Sequence, residues 1–282
     1  ERNAMIAGMQ ATLALGTLQD LITRVDTGLN GPGLFELKTD MIRSALQRID
    51  AVAKIYTGNT SKEATTLAAM IELGRIYRQT GQIEKANAIF ERCLAIAKER
   101  MIIRNRNDGA RKNLATVHTE LSLCVELLNR DMNAVIAHLR EAQALQEDIL
   151  AKPTKDDPST TAENVKALLA GTYMNLGASY HKLGEIDKAI EEFRRAYNLR
   201  VELHAATKDN PNTMIPLSLA CLALADCSDR LDNRKAADEY FSRALELAEL
   251  AAKAAPTLTA RLPLRKKASR PGAPCPRMNA PR

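Results

Sequence analysis

One pattern is written twice in this chain, and it restricts the fold more than any other feature. Residues 70–93 read MIELGRIYRQTGQIEKANAIFERC, and residues 173–196 read YMNLGASYHKLGEIDKAIEEFRRA. Aligned, they share Leu73/Leu176, Gly74/Gly177, Tyr77/Tyr180, Gly81/Gly184, Ala86/Ala189 and Phe90/Phe193, while Cys93 faces Ala196. A short recurring unit cannot bury its apolar side alone, so it stacks on its neighbours and builds the core between them. Apolar residues recur at three- and four-residue spacing, Pro and Gly are scarce over residues 1–255, and alternating Val/Ile/Thr runs are lacking. Each unit is therefore expected to be a pair of amphipathic helices. Gly74 and Gly177 predict a close helix–helix approach, with Tyr77, Tyr180, Phe90 and Phe193 filling the space between the two helices. Gly81 and Gly184 fall in the tight turn, where a positive φ is expected.

Two weaker copies follow the same template. Residues 118–142 hold Leu121, Ser122, Val135, Leu139 and Ala142, with one extra residue in the turn; residues 221–244 hold Leu224, Ala225, Ala237, Phe241 and Ala244. Their turn residues are Asn129 and Asp232, which tolerate left-handed backbone better than other non-glycine residues. These positions and spacings resemble the tetratricopeptide repeat (TPR), and the resemblance implies an all-α, right-handed α-solenoid of helical hairpins. A plain TPR recurs every ~34 residues, whereas Leu73, Leu121, Leu176 and Leu224 are more widely spaced. The excess is expected in polar connectors at 104–113, 152–161 and 207–213, after a long second helix. Capping boxes at Thr60/Glu63 and Thr160/Glu163 mark two helix starts. The layout is similar to the long-repeat arrays of kinesin light chains.

The expected organisation is a helical hairpin over 1–57, four long TPR-like repeats over 58–255, and a tail over 256–282. The hairpin breaks at Gly31-Pro32-Gly33 and is expected to cap the array. The tail holds six of the eleven prolines and seven basic residues with no acid. Seven is one more than the whole chain's net charge of +6. The body is thus close to neutral, and the basicity belongs to a tail expected to be disordered. Such a tail could make weak contact with acidic surfaces. The chain begins at Glu1, and we expect a piece of a longer protein. It contains no apolar run long enough to span a membrane.

A narrower resemblance rests on Thr17-Leu18, Pro32-Gly33-Leu34, Leu37-Lys38 and Ala45-Leu46 within residues 17–54. This segment resembles the entry to the C-terminal TPR region of large bacterial serine/threonine protein kinases. The resemblance implies a regulatory or substrate-recruiting arm. No Gly-rich loop, VAIK-type lysine, HRD or DFG motif is present, so this chain is expected to carry no phosphoryl transfer itself.

Nothing else in the sequence forms a catalytic or metal-binding motif. His118, His138, His181 and His204 lack metal-ligand spacing, and no CxxC pair occurs. Catalytic residues, cofactors and metals are accordingly expected to be none. Cys93, Cys124, Cys221 and Cys227 fall at packing positions, and with Cys275 make an odd set without disulfide spacing. That favours free thiols and a cytoplasmic location, or a membrane-associated one if a transmembrane helix precedes the chain. Six of ten aromatics (Tyr77, Phe90, Tyr173, Tyr180, Phe193 and Phe241) are assigned to packing, which argues against nucleic-acid binding through the body. The remaining functional surface is the face of each repeat's first helix, which lines the groove of a TPR array. Its candidates are Glu72, Arg75, Arg78 and Gln79; Thr119, Glu120 and Glu126; Asn175, His181 and Lys182; and Asp226, Asp229 and Arg230. The expected function is protein–protein binding, with an extended peptide or helix in that groove.

Overall fold

The computed structural model describes Thr17 and residues 64–103, 107–129, 131–155, 157–207 and 210–254. The 1–57 hairpin, the Thr60/Glu63 capping box and the 256–282 tail lie outside these, Thr17 apart. The described residues form eight helices and no strand: α1 (Ala64–Gln79), α2 (Ile83–Ile103), α3 (Asp108–Leu128), α4 (Met132–Ala151), α5 (Ala162–Lys182), α6 (Ile186–Ala206), α7 (Pro211–Arg230) and α8 (Arg234–Ala254). The fold is an all-α helical repeat, in which odd-numbered helices open each repeat (A helices) and even-numbered ones close it (B helices). The chain divides into two compact units, Glu1–His138 and Leu139–Arg282.

In the first unit α1 packs on α2, and both pack on α3. A Cβ on Gly74 would stand 2.6 Å from Cζ of Phe90, a ring with no exposure. No carbon can sit so close, and a fully enclosed ring cannot swing away, so glycine is required there. The second unit repeats the device: a Cβ on Gly177 would stand 2.6 Å from Cδ1 of Phe193. In the last repeat Ala225 supplies the Cβ that these glycines lack, and the matching Phe241 is only half-buried. The α6/α7 boundary is sealed by Ala189, Phe193, Ala223, Leu224 and Cys227, with Tyr197 and Tyr240 packed against them.

Three A-to-B turns close identically. The amides of Gln82, Glu185 and Asn233 donate to the carbonyls of Tyr77, Tyr180 and Ser228, at 2.8, 3.0 and 2.9 Å. This six-to-one bond needs a left-handed residue before it, and Gly81 (φ 79°), Gly184 (φ 78°) and Asp232 (φ 55°) provide it. Asn129 does not, because its φ is −126°. Counting back from the start of each B helix, the equivalent of Gly81 is Arg130, which lies outside the described residues. The extra residue in this turn moves the register by one, and Asp131 caps α4 by accepting from the amides of Asn133 and Ala134.

Three other local expectations need correction. Residues 108–113 and 211–213, expected in connectors, are the opening turns of α3 and α7. Asn107 and Asn210 cap those turns by accepting from Ala110 and Asn212, so the long repeat arises from longer helices as much as from longer loops. At 152–161 the connector is real, but the cap of α5 is Thr161, whose hydroxyl accepts from the Asn164 amide. Thr160 donates instead to the Asp157 carbonyl, because Asp157 and Ser159 fold the chain back into a local turn that occupies it.

Candidate functional site

The A-helix face of the first unit is built around one acid. Glu120 on α3 is 6% exposed. Its Oε1 accepts from Arg75 Nε at 2.6 Å and its Oε2 from Arg78 Nη2 at 3.1 Å, both reaching across from α1. Arg75 also donates Nη1 to Glu72 at 2.6 Å, one turn earlier on its own helix. Burial pulls the Arg75 guanidinium down, but Glu120 and then Glu72, through charge and hydrogen bonding, hold it above its ordinary value. Four expected groove residues, Glu72, Arg75, Arg78 and Glu120, are thus brought into one network. Thr119 faces its own helix and donates to the Ala115 carbonyl. Gln79 is exposed and Glu126 is half-buried.

The same face of the second unit is lighter. His181 Nε2 on α5 approaches Asp226 Oδ2 on α7 to 2.7 Å, off the line of a well-formed N–H···O bond. Arg230 Nε stands 3.4 Å from the same oxygen. His181, Asp226 and Arg230 are therefore together, while Asn175 is half-buried and Lys182 and Asp229 are exposed. In both units a basic group on the leading A helix meets an acid on the following one. Each pair fixes its side chains in place and leaves a half-exposed polar edge, which suits hydrogen bonding to a peptide more than bond-making chemistry.

Sequence reasoning missed the B-helix arginine network of the second unit. Arg140 donates to Glu192 Oε1 at 2.7 Å and to the Tyr180 hydroxyl at 3.2 Å. Nearby, the Tyr173 hydroxyl donates to Glu147 at 2.8 Å; burial, then this bond, pushes Tyr173 up to about 12. Sequence offers no signal for such pairs, since the partners lie 26 to 52 residues apart.

Histidines and cysteines take structural places. His118 and His138 meet through their Nδ1 atoms at 3.0 Å. Burial, then the charges of His138 and Lys98, pushes His118 down to about 4. Cys93, Cys124, Cys221 and Cys227 are buried and free, and burial pushes Cys93 and Cys227 up to about 12. Thiols so disfavoured as thiolates are poor nucleophiles. Among the described residues no group of three or more His, Cys, Asp or Glu is placed to hold a metal. No helix among them is long and apolar enough to cross a membrane.

Comparison with known proteins agrees with this geometry. BtubC (BKLC) from P. vanneervenii superposes with a TM-score of 0.53 at 17% identity, over 88% of this chain and 91% of that one. The nearly identical TPR-like repeats of a Podosopora anserina protein assigned as a kinesin light chain give 0.51 at 19%, over 86% and 96%. At such identities the likeness concerns the fold alone. No curated protein matches the chain. Residues 66–100, 170–200 and 219–249 match family models of the tetratricopeptide repeat, so these three segments, spanning most of α1–α2, α5–α6 and α7–α8, are tetratricopeptide repeats.

Proposed function

We propose that the chain is a non-catalytic protein-binding module that receives an extended peptide or helix along the faces of its A helices. The observation that supports this most is the Arg75/Arg78–Glu120 network. It holds long charged side chains in fixed positions on a half-exposed face, so less conformational entropy is lost when a partner docks. The contacts we assign to a partner are the exposed edges of Arg75 and Arg78 in the first unit and, separately, Asn175, Lys182 and the exposed edge of Arg230 in the second. The free, buried thiols fit work in a reducing, cytoplasmic setting. The kinase-associated reading rests on residues 17–54, which lie outside the described residues apart from Thr17, and no TPR match falls there.

The experiment is selection of a displayed random-peptide library on the full chain. Enriched peptides should share a motif, and Asn175→Ala with Lys182→Glu should weaken them roughly tenfold, as expected for one or two lost polar contacts. Failure to enrich any peptide, or enrichment indifferent to both substitutions, would sink the proposal.

A further inference from the structure

Every B helix places one residue fifteenth from its start: Ala97 in α2, Gln146 in α4, Arg200 in α6 and Ala248 in α8. Ala97, Gln146 and Ala248 are buried. Gln146 accepts a hydrogen bond from the Thr172 hydroxyl at 2.8 Å. Packing therefore asks for a small or fully satisfied residue at this position, and α6 supplies a guanidinium.

Arg200 is half-buried, and its Nε is enclosed without an acceptor. Burial pulls its pKa down, and no acid offsets that pull. The other half-buried basic groups among the described residues of this unit are all matched. Arg140 lies on Glu192, Lys166 on Glu202, His181 on Asp226, and His204 on the Thr213 hydroxyl. Opposite Arg200 the A helix carries Gly171. A Cβ there would have Arg200 Nη2 at 4.0 Å as its nearest neighbour outside its own helix, so the missing side chain leaves room beside the guanidinium. Leu168, one turn earlier on α5, is exposed.

We propose that Arg200, beside the notch at Gly171, binds an oxyanion, the carboxylate or phosphate of an acidic group flanked by apolar residues on a protein partner. A guanidinium fits either anion with two parallel hydrogen bonds, and the anion supplies the counter-charge that the fold withholds. The partner's being a protein rests on the function proposed above. The test below reads the anion site alone, so either idea can fail without the other.

The full chain is melted in sodium chloride, sodium phosphate and sodium acetate at matched ionic strength, as wild type and as Arg200→Ala. In chloride the variant should melt ~2–4 °C above wild type, because an unpaired half-buried charge has been removed. In millimolar phosphate or acetate the wild type should gain stability that the variant does not. Response to phosphate alone assigns the site to a phosphate group; response to acetate assigns it to a carboxylate. Equal responses of wild type and variant to both ions would overturn the proposal, because general salt effects act on both chains alike. Should Arg200→Ala fold poorly, Arg200→Gln repeats the test with the residue type that α4 uses. Titration of the Arg200 Nε–H nuclear magnetic resonance signal, which must move with phosphate or acetate, checks it without any variant.

Discussion

The first unit and the second share their packing and differ on their faces. Gly74 under Phe90 and Gly177 under Phe193 are the same contact at the same 2.6 Å approach. The Gly81 and Gly184 turns match to within a degree of φ. Across the A helices the likeness ends, because one unit buries Glu120 between two arginines while the other sets a single His181 against Asp226. Close packing admits few solutions, so it repeats. A partly hydrated face admits many, so it diverges, and recognition can be written there without disturbing the core.

The shared part should break hardest. Gly177→Leu forces a branched side chain into the space held by Phe193. It should cost about 3 kcal/mol, the upper range for overpacking, with Gly74→Leu costing about as much in the first unit. Ala225→Gly at the matching position of the last repeat should cost only ~1 kcal/mol, the helix-propensity difference. Urea unfolding followed by circular dichroism measures all three. If Gly177→Leu unfolds at wild-type urea concentration, the close Gly–Phe contact does not hold this repeat together.

The difference between the faces comes next. Glu120→Ala strands two guanidinium groups that lose charge-assisted bonds, and it should cost roughly 2 kcal/mol. Asp226→Ala loosens a single pair that lacks a well-formed hydrogen bond and should cost ~1 kcal/mol or less. Equal costs would mean that burial of Glu120 adds nothing, and the contrast between the two faces would collapse.

This division also explains what the sequence could show. Gly74, Gly81, Phe90 and their partners were legible because packing and backbone geometry leave few choices there. Asp232 was legible for the same reason, while Asn129 misled because an inserted residue shifted the register of its turn. The helical starts at Asp108 and Pro211 were hidden inside polar runs that read as loops. They become helix because Asn107 and Asn210 cap them. The face residues were placed correctly on A helices, yet their pairing was invisible, since Arg75 and Glu120 stand 45 residues apart. Arg200 was overlooked because it lies on a B helix, outside the positions assigned to the groove.

A third contrast is pH dependence, which the burial of His118, and then the charge of His138 beside it, gives to the first unit. His118 sits near 4 in the folded protein, below an unfolded value of about 6.5. The unfolded chain therefore binds the proton more readily. The stability tied to a neutral His118 is complete above pH 6.5 and is lost as pH falls from there toward 4. The groups facing it, His138 and Lys98, are basic and cannot offset the added charge. The loss should be on the order of 1 kcal/mol after allowance for partial solvation, and His118→Gln should flatten the slope. Melting curves from pH 7 to 4.5 check this, and an unaltered slope in the variant would assign the acid sensitivity to other groups.

The smallest effect tests whether the turns belong to the shared part. Gly81 and Asp232 both hold left-handed backbone before the same six-to-one bond. Gly81→Ala places a Cβ at φ 79° and should cost ~1 kcal/mol, from strain alone, because nothing lies within 4 Å of that Cβ. Asp232→Gly relieves strain in the folded chain but gives the unfolded chain more freedom, and the two nearly cancel to within ~0.5 kcal/mol. Gly81→Asp should then fall between them, since aspartate tolerates this region better than alanine. If Gly81→Ala and Gly81→Asp were equally harmful, the aspartate of the last repeat would be a weak turn, held by its neighbours. If the ranking holds, the turn is set by backbone conformation alone.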